Sequence, residues 1–247
     1  MGDHTSGPGG YDVPTERLPV TSPETSDASP SPQLVFFDLD ETITRHDTLL
    51  PYAWGFMLRY TPWRIPLLLG VLPSVIGYLL RFWDESGVKQ SFIRCALGGS
   101  RRTTIDAWTA RFVPRLIAQS VFADALKQLA KHRDRGDYLV LMSASTDLYV
   151  PEIARALGFS ETICTGVRWD GEKLNGSLTT PNRKGAEKAR CFTALVEGRA
   201  GHTTVAYGNS FADLPHLRLA NHGVLVNGSN KARRAAQSFG VVCVDWH

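Results

Sequence analysis

Four cysteines are spread through 247 residues, at positions 95, 164, 191 and 243, and no two form a CxxC pair. That spacing supports neither a zinc cluster nor a disulfide framework and fits free thiols in a reducing compartment. The first 33 residues hold no apolar run of the kind that opens a secretory leader, so the expectation is a protein that stays in the cytosol. Neither sign of charge dominates. Lys and Arg number 27 against 24 Asp and Glu, a net +3 that gives no reason to expect nucleic acid as a partner. Residues 1–32 hold few large apolar side chains and are rich in Gly, Pro, Ser, Thr and Asp, a composition that predicts a disordered tail.

From Gln33 onward the pattern is that of an α/β protein. "LVFF" (34–37) is short, continuous and apolar, as a strand buried on both faces should be. A long stretch without strand character follows, from about 48 to 119. Helices and strands then alternate. "FADALKQLAKHRDRG" reads as an amphipathic helix closed by Gly136, and "YLVLMSAS" as a second strand. "DLYVPEIARALGF" is helical, with Pro151 in its first turn. "TICTGVRWDGEKLNGSL" reads as a β-hairpin with turns at Asp170-Gly171 and Asn175-Gly176. "RKGAEKARCFTALV", "FADLPHLRLA" and "NKARRAAQSFG" read as helices, and "TTVAYG", "HGVLVNG" and "VVCVDW" as strands. Such alternation predicts a parallel sheet covered on both faces.

The first strand ends in two acids one residue apart, Asp38 and Asp40. Two carboxylates that close repel, and a cation or a shared proton is needed to hold them together. Ligands of open α/β sheets sit outside the carboxyl ends of the strands. The other strands end there in polar residues too. "MSAST" places Ser143 and Ser145 at the rim, "AYGNSFAD" places Asn209 and Asp213, and Lys184 opens a nearby helix. Taken singly, Asp40, Thr42 or the serines can be helix caps, Lys184 a solvated lysine and Gly208-Asn209-Ser210 a turn. Together they supply oxygen ligands for a hard cation such as Mg²⁺ and a hydroxyl and an ammonium for a phosphate.

The set resembles the four motifs of the haloacid dehalogenase superfamily: "DLDETIT", Ser143 in "VLMSAS", Lys184 in "NRKGAEKA" and "GNSFADLP", in the family's order. The helical insert and the "DGEKLNG" hairpin are most similar to the phosphoserine-phosphatase-like subclass, and the apolar insert to phosphatidylglycerophosphatase C-type proteins. The resemblance implies a Rossmann-like core formed by 33–47 and 120–247, with 48–119 as a helical cap. It implies a Mg²⁺-dependent phosphomonoesterase in which Asp38 is the nucleophile and Asp40 the acid and base. Thr42, Ser143, Ala144 and Lys184 would bind substrate, and Asp38, Asp40, Asn209 and Asp213 would hold the metal. Asn209 departs from the family's usual Asp and removes one negative charge from that shell. It leaves open a non-catalytic phosphate-binding module as the rival class.

Ile65 to Leu80, "IPLLLGVLPSVIGYLL", carries no charge, while 50–118 holds nine basic residues against three acidic, a net +6. The run falls short of the roughly 20 residues of a spanning helix. It fits either a buried, kinked helix or a segment lying in a membrane interface, with Trp54, Trp63, Trp83 and Trp108 nearby. The expected substrate is accordingly a phosphorylated one. A lipid phosphate such as phosphatidylglycerophosphate leads, a soluble ester such as phosphoserine is the alternative, and peripheral association with the cytoplasmic face of the membrane would go with the first.

Overall fold

The computed structural model describes residues 31–82 and 84–247; the expectation of disorder before Ser31 lies outside them. Strand β1 (Leu34–Phe37) runs through the middle of a six-stranded sheet with β2 (Tyr138–Thr146) on one side and β6 (Thr204–Gly208) on the other. With β3 (Glu161–Thr165), β7 (His222–Val226) and β8 (Val242–Val244) the order is β3-β2-β1-β6-β7-β8, every pairing parallel. β1 is buried on both faces because its alternate side chains feed two cores. Val35 and Phe37 join the larger core, and Leu34 and Phe36 the smaller.

Helices α5 (Ala123–Asp134) and α6 (Val150–Leu157) cover the first face. Helices α7 (Ala186–Glu197), α8 (Leu214–Leu217) and α9 (Asn230–Ser238) cover the second. The expected α5 stop is present, with Gly136 at φ +74°, and Gly158 ends α6 in the left-handed conformation. One strand departs from the expectation. "TIC" does not belong to a hairpin but pairs with β2 as β3, and only β4 (Val167–Asp170) and β5 (Lys173–Leu178) form the antiparallel pair. Their turn is at Asp170-Gly171, as expected. Gly176 instead lies inside β5 at φ +90°, where a Cβ would come within 3.0 Å of the Arg94 backbone.

Among the described residues, the elements between β1 and α5 are all helical: α1 (Leu49–Tyr60), a 3-10 segment (Pro62–Val71), α2 (Leu72–Leu79), α3 (Glu85–Leu97) and α4 (Arg102–Ser120). Tyr52, Phe56, Met57, Ile93, Leu97 and Ile105 are buried here and join the larger core. Gly55 has no Cβ because the Trp108 ring would lie 2.6 Å from it, and Trp108 donates its Nε1 proton to the Tyr52 carbonyl. Trp108 is thus packed inside the insertion rather than presented to an interface. Trp54 and Trp63 are exposed, and Trp83 lies outside the described residues. The uncharged run is not a buried helix. Leu67, Leu69, Leu72, Ile76, Leu79 and Leu80 are all exposed. Only 6% of Pro62–Leu79 is buried, although the stretch is long and apolar enough to cross a membrane.

Candidate active site

The sheet order changes direction between β1 and β6, and the site opens at the carboxyl edge of these strands, as expected for a switch point. A cleft of about 440 Å³ lies there. Its core side includes Asp38, Asp40, Ser145, Lys188, Asn209 and Asp213, and the insertion contributes Leu49, Leu50, Glu85, Val88, Lys89 and Phe92.

Asp38 follows β1 directly and is buried. One carboxylate oxygen accepts from Lys188 Nζ at 2.6 Å and the other from the Thr42 hydroxyl at 2.9 Å. The same ammonium donates to Asp213 at 2.8 Å. Asp213 is held in turn by the Ser210 amide and hydroxyl. Gly208 makes room for it, since a Cβ there would lie 2.7 Å from the Asp213 Cβ. Burial works against the Lys188 charge, but Asp213 and Asp38 outweigh it and hold its pKa above the ordinary value. Burial pushes the Asp38 carboxyl up to about 7, against the pull of Lys188 and with the help of Asp213 and Asp40. Burial is the largest single influence on Asp213 and acts in the same direction, but the Lys188 charge and the hydrogen bonds from Lys188 and Ser210 together outweigh it and hold the carboxyl below the carboxylate range. His216 stands behind this group, buried and with both ring nitrogens unpartnered; burial and Lys188 lower it to about 3, so its imidazole stays neutral.

Asp40 is clamped differently. Oδ1 accepts from the Thr48 amide at 2.8 Å and its hydroxyl at 2.6 Å, and Oδ2 from the Ser145 hydroxyl at 2.7 Å. Tyr149 backs Thr48 through its hydroxyl at 2.9 Å. Burial, followed by the Asp47 charge, raises the Asp40 carboxyl. Thr48 immediately precedes α1, so the chain entering the insertion also orients this acid. Between the two aspartates and the insertion, Glu41 takes a left-handed backbone at φ +59°, a strained conformation for a side chain of this size. Its carboxylate accepts from the Asn209 amide at 3.0 Å.

The sequence motifs therefore converge, with two shifts. The lysine between the carboxylates is Lys188, not Lys184. Lys184 precedes the helix, is exposed, and pairs with Glu85 of α3. Lys188 lies in the first turn of α7 on the face shared with Cys191 and Phe192. That i, i+3, i+4 pattern is the signal that distinguishes the two lysines. Ser143 is fully buried beneath the rim, where it accepts from the Ser145 amide at 3.0 Å and its hydroxyl donates to Asp40 Oδ2 at 3.4 Å; Ala144 and Ser145 form the cleft wall. Thr42, Asn209 and Asp213 stand where the motifs put them. Thr48, Lys89 and Tyr149 escaped the sequence reading because nothing local marks them.

No trio of Asp, Glu, His or Cys converges as a ready metal cluster among the described residues. The oxygen set of Asp38, Asp213, Asn209 and the Asp40 backbone nonetheless fits a hard cation, because two buried carboxylates, Asp38 and Asp213, share a single buried ammonium.

The chain is 27% identical over 235 residues to a probable phosphatase of Mycobacterium tuberculosis, covering 93% of this chain and 80% of that one. It is 28% identical over 217 residues to protein CicA of Caulobacter vibrioides, covering 83% and 90%. A solved protein of unknown function from Bordetella pertussis Tohama I shares the fold with a TM-score of 0.73 at 21% identity, covering 87% and 98%. A substrate-bound phosphoserine phosphatase shares it at 0.62 and 14% identity, covering 86% and 92%. The family model of haloacid dehalogenase-like hydrolases matches residues 35–218, and with it the aspartates, the lysine and the strand ends fall into one scheme: the chain belongs to the haloacid dehalogenase-like hydrolase family.

Proposed function

We propose that the chain is a Mg²⁺-dependent phosphomonoesterase that works through an aspartyl phosphate on Asp38. The observation that carries this reading is Lys188, whose buried ammonium joins Asp38 to Asp213 at the carboxyl edge of the sheet. An Asp38 carboxylate oxygen attacks phosphorus and the P–O bond to the leaving group breaks. Asp40 gives its proton to the departing alkoxide; its raised pKa suits that role. It then takes a proton from the water that hydrolyses the aspartyl phosphate. Lys188 offsets phosphoryl charge without moving, because its own site is already built. Asp38, the Asp40 carbonyl, Asn209 and Asp213 would hold Mg²⁺, which would neutralise charge on the transferring group. Helices α1 to α4 serve as the cap.

Mg²⁺-dependent release of p-nitrophenol from its phosphate ester, with ³²P label trapped on wild-type protein and not on Asp38→Asn, is the test. A folded wild-type protein that turns over no ester would leave the phosphate-binding module in its place.

The insertion favours a lipid phosphate over a soluble ester as substrate. Leu50 lies in the cleft wall and is 60% exposed, and Trp54 and Leu58 follow at successive turns of α1. An apolar stripe thus leads from the cleft toward the exposed face of the 3-10 segment and α2. Arg59 and Arg81 border that face, as anionic headgroups require. Peripheral binding to a bilayer follows from the same surface.

A further inference from the structure

Besides Lys188 and the Glu85-paired Lys184, the cleft holds a third lysine that the proposed chemistry does not use. Lys89 lies on α3, and its ammonium reaches the opposite wall, where it donates to the Ala144 carbonyl at 2.9 Å and to Asn182 Oδ1. Both acceptors are neutral. Among the described residues, no carboxylate forms an ion pair with it, whereas the neighbouring Lys184 is matched by Glu85.

A cation removed from water and given only neutral partners regains part of its lost hydration, and an entering anion restores the rest. Burial lowers the Lys89 pKa to about 8, with Lys184 acting the same way, and the more distant charges of Glu85, Asp40 and Asp47 oppose it without restoring it. Its place in the cleft says which end of a substrate it meets. Ala144 adjoins Ser145, whose hydroxyl holds Asp40. Asp40 is the group assigned to the leaving oxygen, so Lys89 stands on the leaving-group side, next to the apolar wall of Val88 and Phe92.

We propose that Lys89 determines specificity by binding a second anionic group carried on the leaving group of the phosphomonoester. This rests on the phosphomonoesterase reading above. A carboxylate and a phosphodiester satisfy an ammonium alike, and the shared chemistry is an oxyanion a few bonds from the scissile P–O bond.

The experiment compares kcat/KM of full-length wild type, Lys89→Met and Lys89→Arg on four esters with Mg²⁺. Glycerol 3-phosphate is the reference. 3-Phosphoglycerate replaces its terminal CH₂OH with a carboxylate. Glycerophosphoglycerol phosphate adds a phosphodiester. p-Nitrophenyl phosphate reports general phosphatase activity. Wild type should prefer at least one of the anionic esters to the reference by about tenfold or more. Lys89→Met should bring that ratio close to one, mainly through KM, and Lys89→Arg should keep most of it. The ratio is internal to each variant, so partial loss of folded protein does not affect it. The preferred ester tells carboxylate from phosphodiester. Wild type with no anionic preference overturns the proposal, as does a Lys89→Met protein that keeps it. Wild type that turns over none of the esters, p-nitrophenyl phosphate included, overturns the phosphomonoesterase reading itself and the proposal with it.

Discussion

At the carboxyl edge of the sheet, Asp38, Lys188 and Asp213 are 5%, 3% and 3% exposed, while on the insertion Leu69, Leu79 and Phe82 are 69%, 72% and 80% exposed. Charge is inside and apolar surface is outside, the reverse of the usual partition at both places. The two reversals are held in place differently. In the core, each buried charge has a partner within hydrogen-bond distance, and removing one leaves the others uncompensated. On the insertion, the exposed side chains carry little of the fold, because Tyr52, Phe56, Ile93 and Leu97 beneath them already form its core. Mutations should therefore damage the first region through stability and chemistry, and the second through binding alone.

Lys188→Met is the most severe test. With Asp38 and Asp213 left buried and unpaired, it should cost about 3–5 kcal/mol in urea unfolding. Turnover should fall by about a thousandfold or more. Lys184→Met, at an exposed pair, should cost no more than about 1 kcal/mol. Equal losses at the two lysines would erase the distinction drawn between them.

Asp38 gives the core a pH signature. Its folded pKa of about 7 lies above the ordinary 3.8, so the folded chain keeps a proton that the unfolded chain has released. The Asp38 contribution to the stability of the metal-free protein should therefore fall as pH rises from about 4 to about 7, at up to about 1.4 kcal/mol per unit, while His216, held neutral down to about 3, contributes the opposite slope up to its ordinary 6.5. Asp213 is held low, and its stabilising contribution is lost only below this window. In chelator, the stability of wild type relative to Asp38→Asn should show this fall, because the His216 contribution is common to both. A wild type that gains stability relative to Asp38→Asn through the window would contradict the burial argument.

The insertion is sharpened by Leu69→Asp with Leu79→Asp. The pair should change unfolding free energy by less than about 1 kcal/mol, since both side chains are exposed. It should lower co-sedimentation with anionic vesicles about tenfold or more, through lost apolar insertion. Salt at 1 M, where the Debye length is about 3 Å, should weaken wild-type binding without abolishing it. A variant that unfolds would show that these leucines belong to the core after all.

Asn209→Asp should have the smallest effect. Restoring a carboxylate at that ligand position should lower the Mg²⁺ concentration for half-maximal activity several-fold. No change would mean that Asn209, tied to Glu41, serves the loop instead of the metal.

Much of this was written locally. The run 34–37 had to be a doubly buried strand, and Asp38, Asp40 and Asp213 had to stand at strand ends, because alternation and turn residues act over a few positions. Gly136 and Gly171 marked a helix stop and a hairpin turn for the same reason. What the tertiary structure decided depends on partners distant in sequence. Lys188 rather than Lys184 enters the site because α7 starts at Ala186, and that start sets which side chain turns toward β1. "TIC" became β3 because the edge of β2 was free to pair. Trp108 turned inward because Gly55, on another helix, left space for its ring. Ile65 and Leu68 pack against the core while most of the other large side chains of Ile65–Leu80 stay exposed; a charge-free run records what a segment can tolerate, and only packing settles whether protein, water or another surface meets it.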